Sequence, residues 1–156
     1  MKPKPVSESR VETVELVLPN DTNPLGNILG GRVMHLIDIT ASIAAMRHAR
    51  KRVVTAQTDE LTFRHPIKLG HLIILRASVN YAGSTSMEVG VKVLSEDPVT
   101  GEQQHTSSAY LTFVAVNEEG QPSAIPPLLL ETAEDERRNR EAKQRRESRL
   151  QEREND

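Results

Sequence analysis

The feature that most constrains the fold is the segment 30–50, the most apolar stretch of its length in the chain. Its apolar residues fall on more than one face of a predicted helix. They are Val33, Met34, Leu36, Ile37, Ile39, Ile43, Ala44, Ala45 and Met46. An apolar circumference wider than a surface stripe indicates a helix that is covered on most sides. The basic residues of the last turn complement the negative end of the helix dipole, so we expect the helix to end near Arg50.

The segments around this helix alternate apolar and polar residues and are rich in β-branched side chains, which favours strands. One strand is predicted before the helix, at 11–18. Five are predicted after it, at 52–58, 60–65, 72–81, 87–94 and 105–116. Turn-forming residues at 83–86 and 97–101 separate the last three strands. A strand, one long buried helix and a run of antiparallel strands predict an α+β fold in which a strongly curved sheet wraps around the helix.

The two ends of the chain differ from this middle part. Residues 1–10 are polar with two prolines and are expected to form a flexible arm. Residues 128–156 are expected to be a charged helix or tail, since pairs such as Glu136 and Arg140 lie four positions apart. Apolar residues are nearly absent from Glu131 onwards, so burial is not expected to hold this tail on the core. Alternatively, four of its cations reach a phosphorylated ligand or pack on a neighbouring subunit: Arg137, Arg138, Arg140 and Lys143.

Composition excludes several classes of function. A length of 156 residues suits one domain, and a net charge of −2 gives no overall case for nucleic-acid binding. The absence of cysteine excludes disulfides, a thiolate nucleophile and cysteine-based metal sites, and the histidines have no ligand spacing. The N-terminus has no apolar signal region, and no run of about 18 apolar residues could span a membrane. A soluble cytoplasmic protein with no metal or membrane contact is therefore expected.

A candidate site lies where the polar loop before the helix meets the glycine pair Gly30 and Gly31. Glycines let a ligand approach the backbone, and a helix N-terminus offers free N–H groups to an oxyanion or phosphate. The helix carries one acid, Asp38, and a carboxylate among apolar residues is costly unless it is paired or used in chemistry. Together these features predict a hydrolytic site. Two alternatives are a structural Asp38 bonded to the backbone or to Ser42, and glycines that merely begin the helix.

A further alternative concerns His35, which lies three residues before Asp38 on the same helix. Such a pair could act together as a base, but a helical histidine beside an acid is more often only a hydrogen-bonded pair. His65, before Pro66, is expected at the end of a strand, near a ligand channel at best.

An ordered set of motifs resembles the acyl-CoA thioesterases of the hotdog fold, in particular the brain-type acyl-CoA hydrolase branch with its single-domain bacterial members. The motifs are DTNPLGNILGG at 21–31, MHLID at 34–38, RVVTA at 52–56, LTFRHPIKLG at 61–70, VNYAGSTSM at 79–87 and FVAV at 113–116, with Gly120 and Pro122. The resemblance covers about residues 11–127, and the charged C-terminal helix also recurs in many members. Many relatives have histidine before the glycine pair, whereas this chain has Leu29.

The resemblance implies a long helix wrapped by a curved antiparallel sheet, and homodimers that assemble as a trimer of dimers. It also implies hydrolysis of fatty acyl-CoA to a free fatty acid and CoA, without a cofactor. Asp38 would be the general base or nucleophile, assisted by Asn27, while N–H groups near Gly30 and Gly31 would bind the oxyanion. The remaining substrate contacts would be Met34 along the acyl chain, with Ile37 and Ile39, and Arg64, Ser84, Thr85 and Ser86 near the CoA phosphates.

Two other functions fit the same fold. A non-catalytic acyl-CoA sensor would need an output domain, and none is visible in the sequence. A hotdog dehydratase or hydratase relies on an acid–histidine pair in a differently placed loop, which is not found here.

Overall fold

The computed structural model describes residues 1–59 and 61–155. Its elements are β1 (Lys4–Pro5), a short 3-10 helix (Val6–Ser9), β2 (Val11–Leu16), a second 3-10 helix (Pro19–Asp21), α1 (Gly30–Ala49), β3 (Arg52–Thr58), β4 (Leu72–Ala82), β5 (Ser86–Glu96), β6 (Gln103–Val116), β7 (Leu128–Leu129) and α2 (Ala133–Asn155). The predicted α+β arrangement, one long helix against a curved antiparallel sheet, is confirmed.

Five strands form the main sheet in the order β2-β4-β5-β6-β3, with every neighbouring pair antiparallel. The β4–β5 hairpin closes where the Gly83 N–H donates to the Ser86 carbonyl at 2.8 Å. The β5–β6 connection turns through Gly101, whose φ of 77° lies in the left-handed region that favours glycine. Because β2 and β3 are the two ends of the sheet, each has one edge without a partner strand among the described residues.

Helix α1 packs its apolar side on one face of this sheet. Val33, Ile37, Ala41 and Ala44 are completely buried there, against sheet residues such as Phe113. Each fully buried aliphatic side chain contributes about 1.5–3 kcal/mol relative to an exposed one. The helix ends at Arg50, which adopts a left-handed φ of 51° and donates its N–H to the Met46 carbonyl at 2.7 Å.

One flank of α1 stays open within the chain. Ile39 and Met46 on this flank are 43% and 40% exposed. Val54 of the edge strand β3 is also 51% exposed, on the face of the sheet away from α1, because it pairs with Val114 between the buried Phe113 and Ala115. The wide apolar circumference predicted from the sequence is therefore covered only in part by the chain's own sheet. Exposed aliphatic side chains next to an unpaired strand edge are typical of a surface that another chain covers.

The prediction of a flexible arm at residues 1–10 is wrong. Lys4–Pro5 pairs in parallel with Leu128–Leu129, and Val6 and Ser9 are buried. The Lys4 ammonium donates to the carbonyls of Arg47 and His48 at 2.7 and 2.8 Å, which stabilises the C-terminal end of α1. Val6 and Lys4 alone do not form a periodic pattern. The polar composition of the segment therefore gave no sign that it packs on the protein.

Two further expectations differ from the structure. The residues 61–65 of the predicted strand 60–65 form an irregular loop, although the Arg64 N–H does bond to the Thr106 carbonyl at 3.0 Å; Glu60 lies outside the described residues. The charged tail forms the expected helix α2, but it docks on the outer face of the sheet instead of standing in solvent. Asp135, Asn139 and Ala142 are buried in that contact.

Candidate active site

Asp38 lies half-buried on the open flank of α1 and is held by a residue of β3. Its Oδ1 accepts a hydrogen bond from the Thr55 hydroxyl at 2.9 Å. The Ser42 hydroxyl donates to the backbone carbonyl of Asp38 at 2.6 Å and not to its carboxylate, so the predicted alternative of a Ser42–carboxylate pair is wrong. In the part of the chain that the structure describes, His35 makes no hydrogen bond with Asp38, so the base dyad is not formed.

Thr55 is the site residue that the sequence reasoning did not identify. The register between β3 and β6 shifts between Thr55 and Gln57, which marks a β-bulge. Bulges bend a strand and redirect its side chains, and they are common next to active sites. Threonine is an ordinary strand residue, so the motif 52–56 gave no signal beyond a strand.

The N-terminus of α1 is an open donor site. The Leu29 carbonyl accepts the N–H groups of Arg32 and Val33, and the Leu29 N–H donates to Asp21, but no side chain caps the helix. Within residues 1–59 and 61–155, the N–H groups of Gly30 and Gly31 have no partner. They therefore present the positive end of the helix dipole to solvent, with no acid in the first turn.

The space around the glycine pair shows that the isolated fold does not require glycine there. A Cβ at Gly31 would have nothing within 4 Å, and one at Gly30 would meet only the Phe63 ring at 3.7 Å. Neither glycine has a positive φ. Because glycine weakens a helix relative to alanine, its use at both positions favours a requirement from a ligand or a second subunit over a mere helix start.

Asn27 lies half-buried in the loop that leads into the helix. It bridges to Lys68, and its N–H donates to the Asn23 side-chain oxygen at 3.1 Å. Arg32 fixes this loop from the first turn of α1, with contacts of 2.8 Å to Glu15 and 3.4 Å to Asp21. Asn27 therefore lies in an ordered loop three residues before the glycine pair.

Asp38 is more distant from this entrance. It lies about 12 Å further along the helix axis than Gly30, from the rise of 1.5 Å per residue. Within one chain, the acid and the loop amide are therefore at different levels of the same flank.

The remaining predicted substrate contacts are dispersed. Arg64 is exposed on the loop after β3. The turn of Ser84, Thr85 and Ser86 is anchored to the end of β6, since the Thr85 carbonyl accepts the Ala115 N–H at 2.9 Å. The turn begins β5, and Thr55 lies on β3, two strands away across β6. At the usual spacing between strands, the two are about 10 Å apart.

The three apolar candidates for the acyl wall differ in exposure. Met34 is partly buried against the core, and Ile39 is exposed on the flank. Ile37 is completely buried, so the expectation that it lines an acyl channel is wrong.

A cavity away from these residues lies on the other side of the sheet. A space of about 810 Å³ opens between the outer face of the sheet and α2, and neither Asp38, Asn27 nor Arg64 lines it. Arg137 and Arg138, predicted as alternatives for a phosphorylated ligand, line it but pair with Glu134 and Glu141 on their own helix.

Among the described residues no group of three or more His, Asp or Glu is placed to hold a metal ion. Neither described helix is long and apolar enough to cross a membrane.

Comparison with known proteins adds independent findings. Residues 25–102 match the model of the thioesterase superfamily. A protein of Bacillus subtilis (strain 168), named as an uncharacterized acyl-CoA thioester hydrolase, is 41% identical over 82% of this chain and 74% of its own length. The cytosolic acyl coenzyme A thioester hydrolase of Mus musculus is 35% identical over 92% of this chain, which spans only 38% of that longer protein.

Solved structures are similar over nearly the whole chain. The acyl-CoA hydrolase of Staphylococcus aureus in complex with butyryl-CoA, CoA and CoA disulfide has a TM-score of 0.90 and 39% identity, covering 96% of this chain and 92% of that one. An apo-hexameric acyl-CoA thioesterase has a TM-score of 0.94 and 41% identity, covering 97% of both chains. Three more structures of the Staphylococcus aureus hydrolase carry alanine in place of one aspartate, one threonine or one asparagine.

Proposed function

The chain belongs to the thioesterase superfamily, and from this premise we propose that it is an acyl-CoA thioester hydrolase with Asp38 at its reacting centre. The observation that carries the proposal is the Asp38 carboxylate, held by Thr55 at 2.9 Å on the same open flank of α1 whose N-terminus presents two unbonded N–H groups. An acid and a donor-rich helix end are the two kinds of group that thioester hydrolysis requires. Because they lie about 12 Å apart along one helix, the acid of one protomer would act with the donors of another.

The reaction consumes water and releases a carboxylic acid and CoA. Water is a weak nucleophile near neutral pH, so the carboxylate of Asp38 acts as a general base that removes its proton, or attacks the carbonyl itself to give a mixed anhydride that water then hydrolyses. Thr55 is a positioning residue, because its hydroxyl occupies Oδ1 and leaves Oδ2 to face the water or the substrate.

The oxyanion that develops on the thioester carbonyl needs donors that are already oriented. The N–H groups of Gly30 and Gly31 supply them at the positive end of the helix dipole. A side chain on either residue would narrow the approach of a thioester to these N–H groups, which explains glycines that the fold itself does not need.

The site is completed by a second copy of the chain. In the described part of the chain the outer edge of β3 beside Asp38 is unpaired, and Ile39 and Met46 are exposed on α1. Pairing two such edges would cover these residues and, as the resemblance implies, would bring the loop of one protomer to the helix of the other, which would resolve the separation of Asn27 from Asp38 within a chain. We propose a homodimer that assembles further as a trimer of dimers, in line with the hexameric structural neighbour.

Two asparagines compete for the role of loop amide. Asn27 is the candidate from the resemblance, and its amide could orient the water or donate to the carbonyl. In the Staphylococcus aureus variants the replaced aspartate and threonine are 17 positions apart, as Asp38 and Thr55 are here. The asparagine replaced there precedes that aspartate by 15 positions, a spacing that falls on Asn23 in this chain. Asn23 also organises the loop, since its side-chain oxygen accepts the N–H groups of Leu25 and Asn27.

The proposed substrate is a fatty acyl-CoA, with Met34 along the acyl chain. Arg64 and the turn of Ser84, Thr85 and Ser86 would contact the CoA phosphates, through a cation and through small residues with accessible N–H groups. A cytoplasmic location is proposed, which the cytosolic murine relative supports. A non-catalytic acyl-CoA sensor on the same fold is the competing function, and it predicts binding without turnover.

The test is thiol release from a series of acyl-CoAs, from acetyl to palmitoyl, by the full chain and by Asp38→Asn. The protein has no cysteine, so it contributes no thiol of its own. We expect turnover by the wild type and a loss of about 10²- to 10⁴-fold in kcat for Asp38→Asn, the range for a positioned acid–base group. Asn23→Ala and Asn27→Ala, measured alongside, identify the loop amide by the larger loss in kcat.

Size-exclusion chromatography of each variant shows whether assembly is intact. Near-normal turnover in a folded Asp38→Asn would remove this residue from the mechanism. No turnover of any ester by the wild type, together with tight acyl-CoA binding in calorimetry, would favour the sensor.

A further inference from the structure

A buried carboxylate on the outer face of the sheet plays no part in the proposed chemistry. Glu88 on β5 is 2% exposed, and Arg145 of α2 binds both of its oxygens at 2.8 and 2.9 Å. The Arg145 guanidinium also stacks on the Tyr110 ring at 3.6 Å. Burial lowers the pKa of Arg145, but the hydrogen bonds and charge of Glu88 outweigh it and raise the pKa above its ordinary value. Arg145 therefore stays ionised, and its two hydrogen bonds to Glu88 hold α2 on the sheet.

The face of α2 that docks consists of polar residues and one alanine. Its contact residues recur every three or four positions: Asp135, Asn139, Ala142, Arg145 and Arg149. Asn139 donates to the Asn80 carbonyl at 3.0 Å, and Gly90 leaves room for the Asn80 side chain, because a Cβ there would lie 2.6 Å from its amide nitrogen. Such a face sets the position of the helix by directed contacts, so it holds α2 in one register.

The last of these contacts reaches the loop after β3. The Arg149 guanidinium lies 3.3 Å from an Asp59 carboxylate oxygen and 4.0 Å from Glu88, and its side chain is only 16% exposed. The Asp59 N–H donates to the Tyr110 carbonyl at 3.0 Å, which aligns Asp59 with the end of β3. Arg149 thus joins α2 to the point where the loop of residues 61–71 begins.

That loop forms one wall of the candidate site entrance. Its Phe63 ring lies next to Gly30, 3.7 Å from the position of a Cβ on that residue. Two hydrogen bonds join it to the segment that carries Asn27, from Ile28 to Ile67 at 2.7 Å and from Leu69 to Gly26 at 2.8 Å. A shift of the loop would therefore move Phe63 and Arg64 relative to the helix N-terminus.

We propose that Arg149 is a positioning residue, which acts through Asp59 to hold the loop 61–71 against the Gly30 entrance and so makes the charged helix α2 a determinant of substrate affinity. The inference rests on the proposed hydrolase function. Arg149 touches no reacting atom, so it should affect binding of the acyl-CoA more than the chemical step.

The experiment compares Arg149→Gln with Arg153→Gln, which removes the same charge one turn further along α2 at an exposed position. For Arg149→Gln we expect KM for an acyl-CoA to rise roughly three- to tenfold with kcat within about twofold, as for a residue that couples to a site from a distance. Hydrogen–deuterium exchange of residues 61–71 should become faster in this variant. Arg153→Gln should match the wild type in both measurements, and Arg149→Lys should recover part of the affinity.

A double-mutant cycle with Asp59→Asn tests the route. If Arg149 acts through Asp59, the double variant should be no worse in KM than the more affected single variant. Equal KM and exchange in Arg149→Gln and Arg153→Gln would overturn the proposal, and so would additive effects in the cycle. Circular dichroism shows whether α2 stays folded in each variant. A wild type without turnover would defeat the proposed hydrolase function, whereas the exchange of residues 61–71 still decides whether Arg149 positions the loop.

Discussion

Two helices of similar length pack on opposite faces of one sheet by different physical means. α1, of 20 residues, buries Val33, Ile37 and Ala44 against the sheet, so apolar volume holds it. α2, of 23 residues, buries Asp135, Asn139 and Ala142, and ion pairs and hydrogen bonds hold it. Apolar contact is non-directional and tolerates sliding, whereas a bidentate ion pair fixes distance and angle. The inner helix therefore supplies most of the stability, and the outer helix supplies position.

The largest expected effect is on the inner helix. Ile37→Ala removes a completely buried side chain, and we expect the free energy of unfolding to fall by about 2–5 kcal/mol through lost burial and the cavity left behind. The measurement is urea unfolding followed by circular dichroism at fixed protein concentration. The control is Leu150→Ala on α2, where the side chain is 46% exposed and the cost should be within about 0.5 kcal/mol. A comparable loss in both variants would contradict the distinction, because α2 would then also depend on apolar burial.

The next effect concerns the outer helix. Glu88→Gln keeps the shape of the buried side chain but removes its charge, which leaves the half-buried Arg145 without its anionic partner. We expect a loss of about 1–3 kcal/mol in the free energy of unfolding, measured in the same way. Glu141→Gln is the matched control, because its partner Arg137 lies 3.3 Å away on the surface of α2 and such exposed pairs contribute about 0–1 kcal/mol. If the two variants cost the same, the buried pair does not fix α2.

The same contrast explains what the sequence could predict. Most strands follow from the alternation of apolar and polar residues, and α1 follows from its high apolar content and the basic residues of its last turn. Docking of α2 leaves no such trace in the sequence, since its contact residues are polar or small and resemble a solvated face. The packing of Val6 and Lys4 is concealed in the same way, by a segment too short to have a period.

Part of the candidate site could be predicted from the sequence for a related reason. Asp38, Gly30 and Gly31 are conspicuous because an acid and a glycine pair are unusual in an apolar helix. Thr55 is an ordinary strand residue, and only the β3 bulge and the helix packing bring its hydroxyl to Asp38. The alternatives for the loop amide remain open because both asparagines are typical loop residues, and function depends on which amide faces the substrate in the assembled protein.

The smallest expected effect tests the limit of the comparison, since α1 also has a polar end. His48 in its last turn is completely buried, and its Nε2 lies 2.9 Å from the Pro126 carbonyl. Burial lowers the pKa of His48 below 6.5, and the positive charge of Lys4 lowers it further. The hydrogen bond to Pro126 and the negative charge of Glu8 act in the opposite direction but do not cancel the shift. As the pH falls below 6.5, the unfolded chain takes up a proton at His48 that the folded chain does not yet bind, so the free energy of unfolding decreases. Well above pH 6.5, where His48 is neutral in both the folded and the unfolded chain, this residue should contribute no pH dependence. Urea unfolding from pH 8 to about pH 5.5 measures the slope, and His48→Gln should flatten it. An equal slope in His48→Gln would show that other groups cause the pH dependence, and the C-terminal end of α1 would then resemble its apolar middle more than the polar contact of α2.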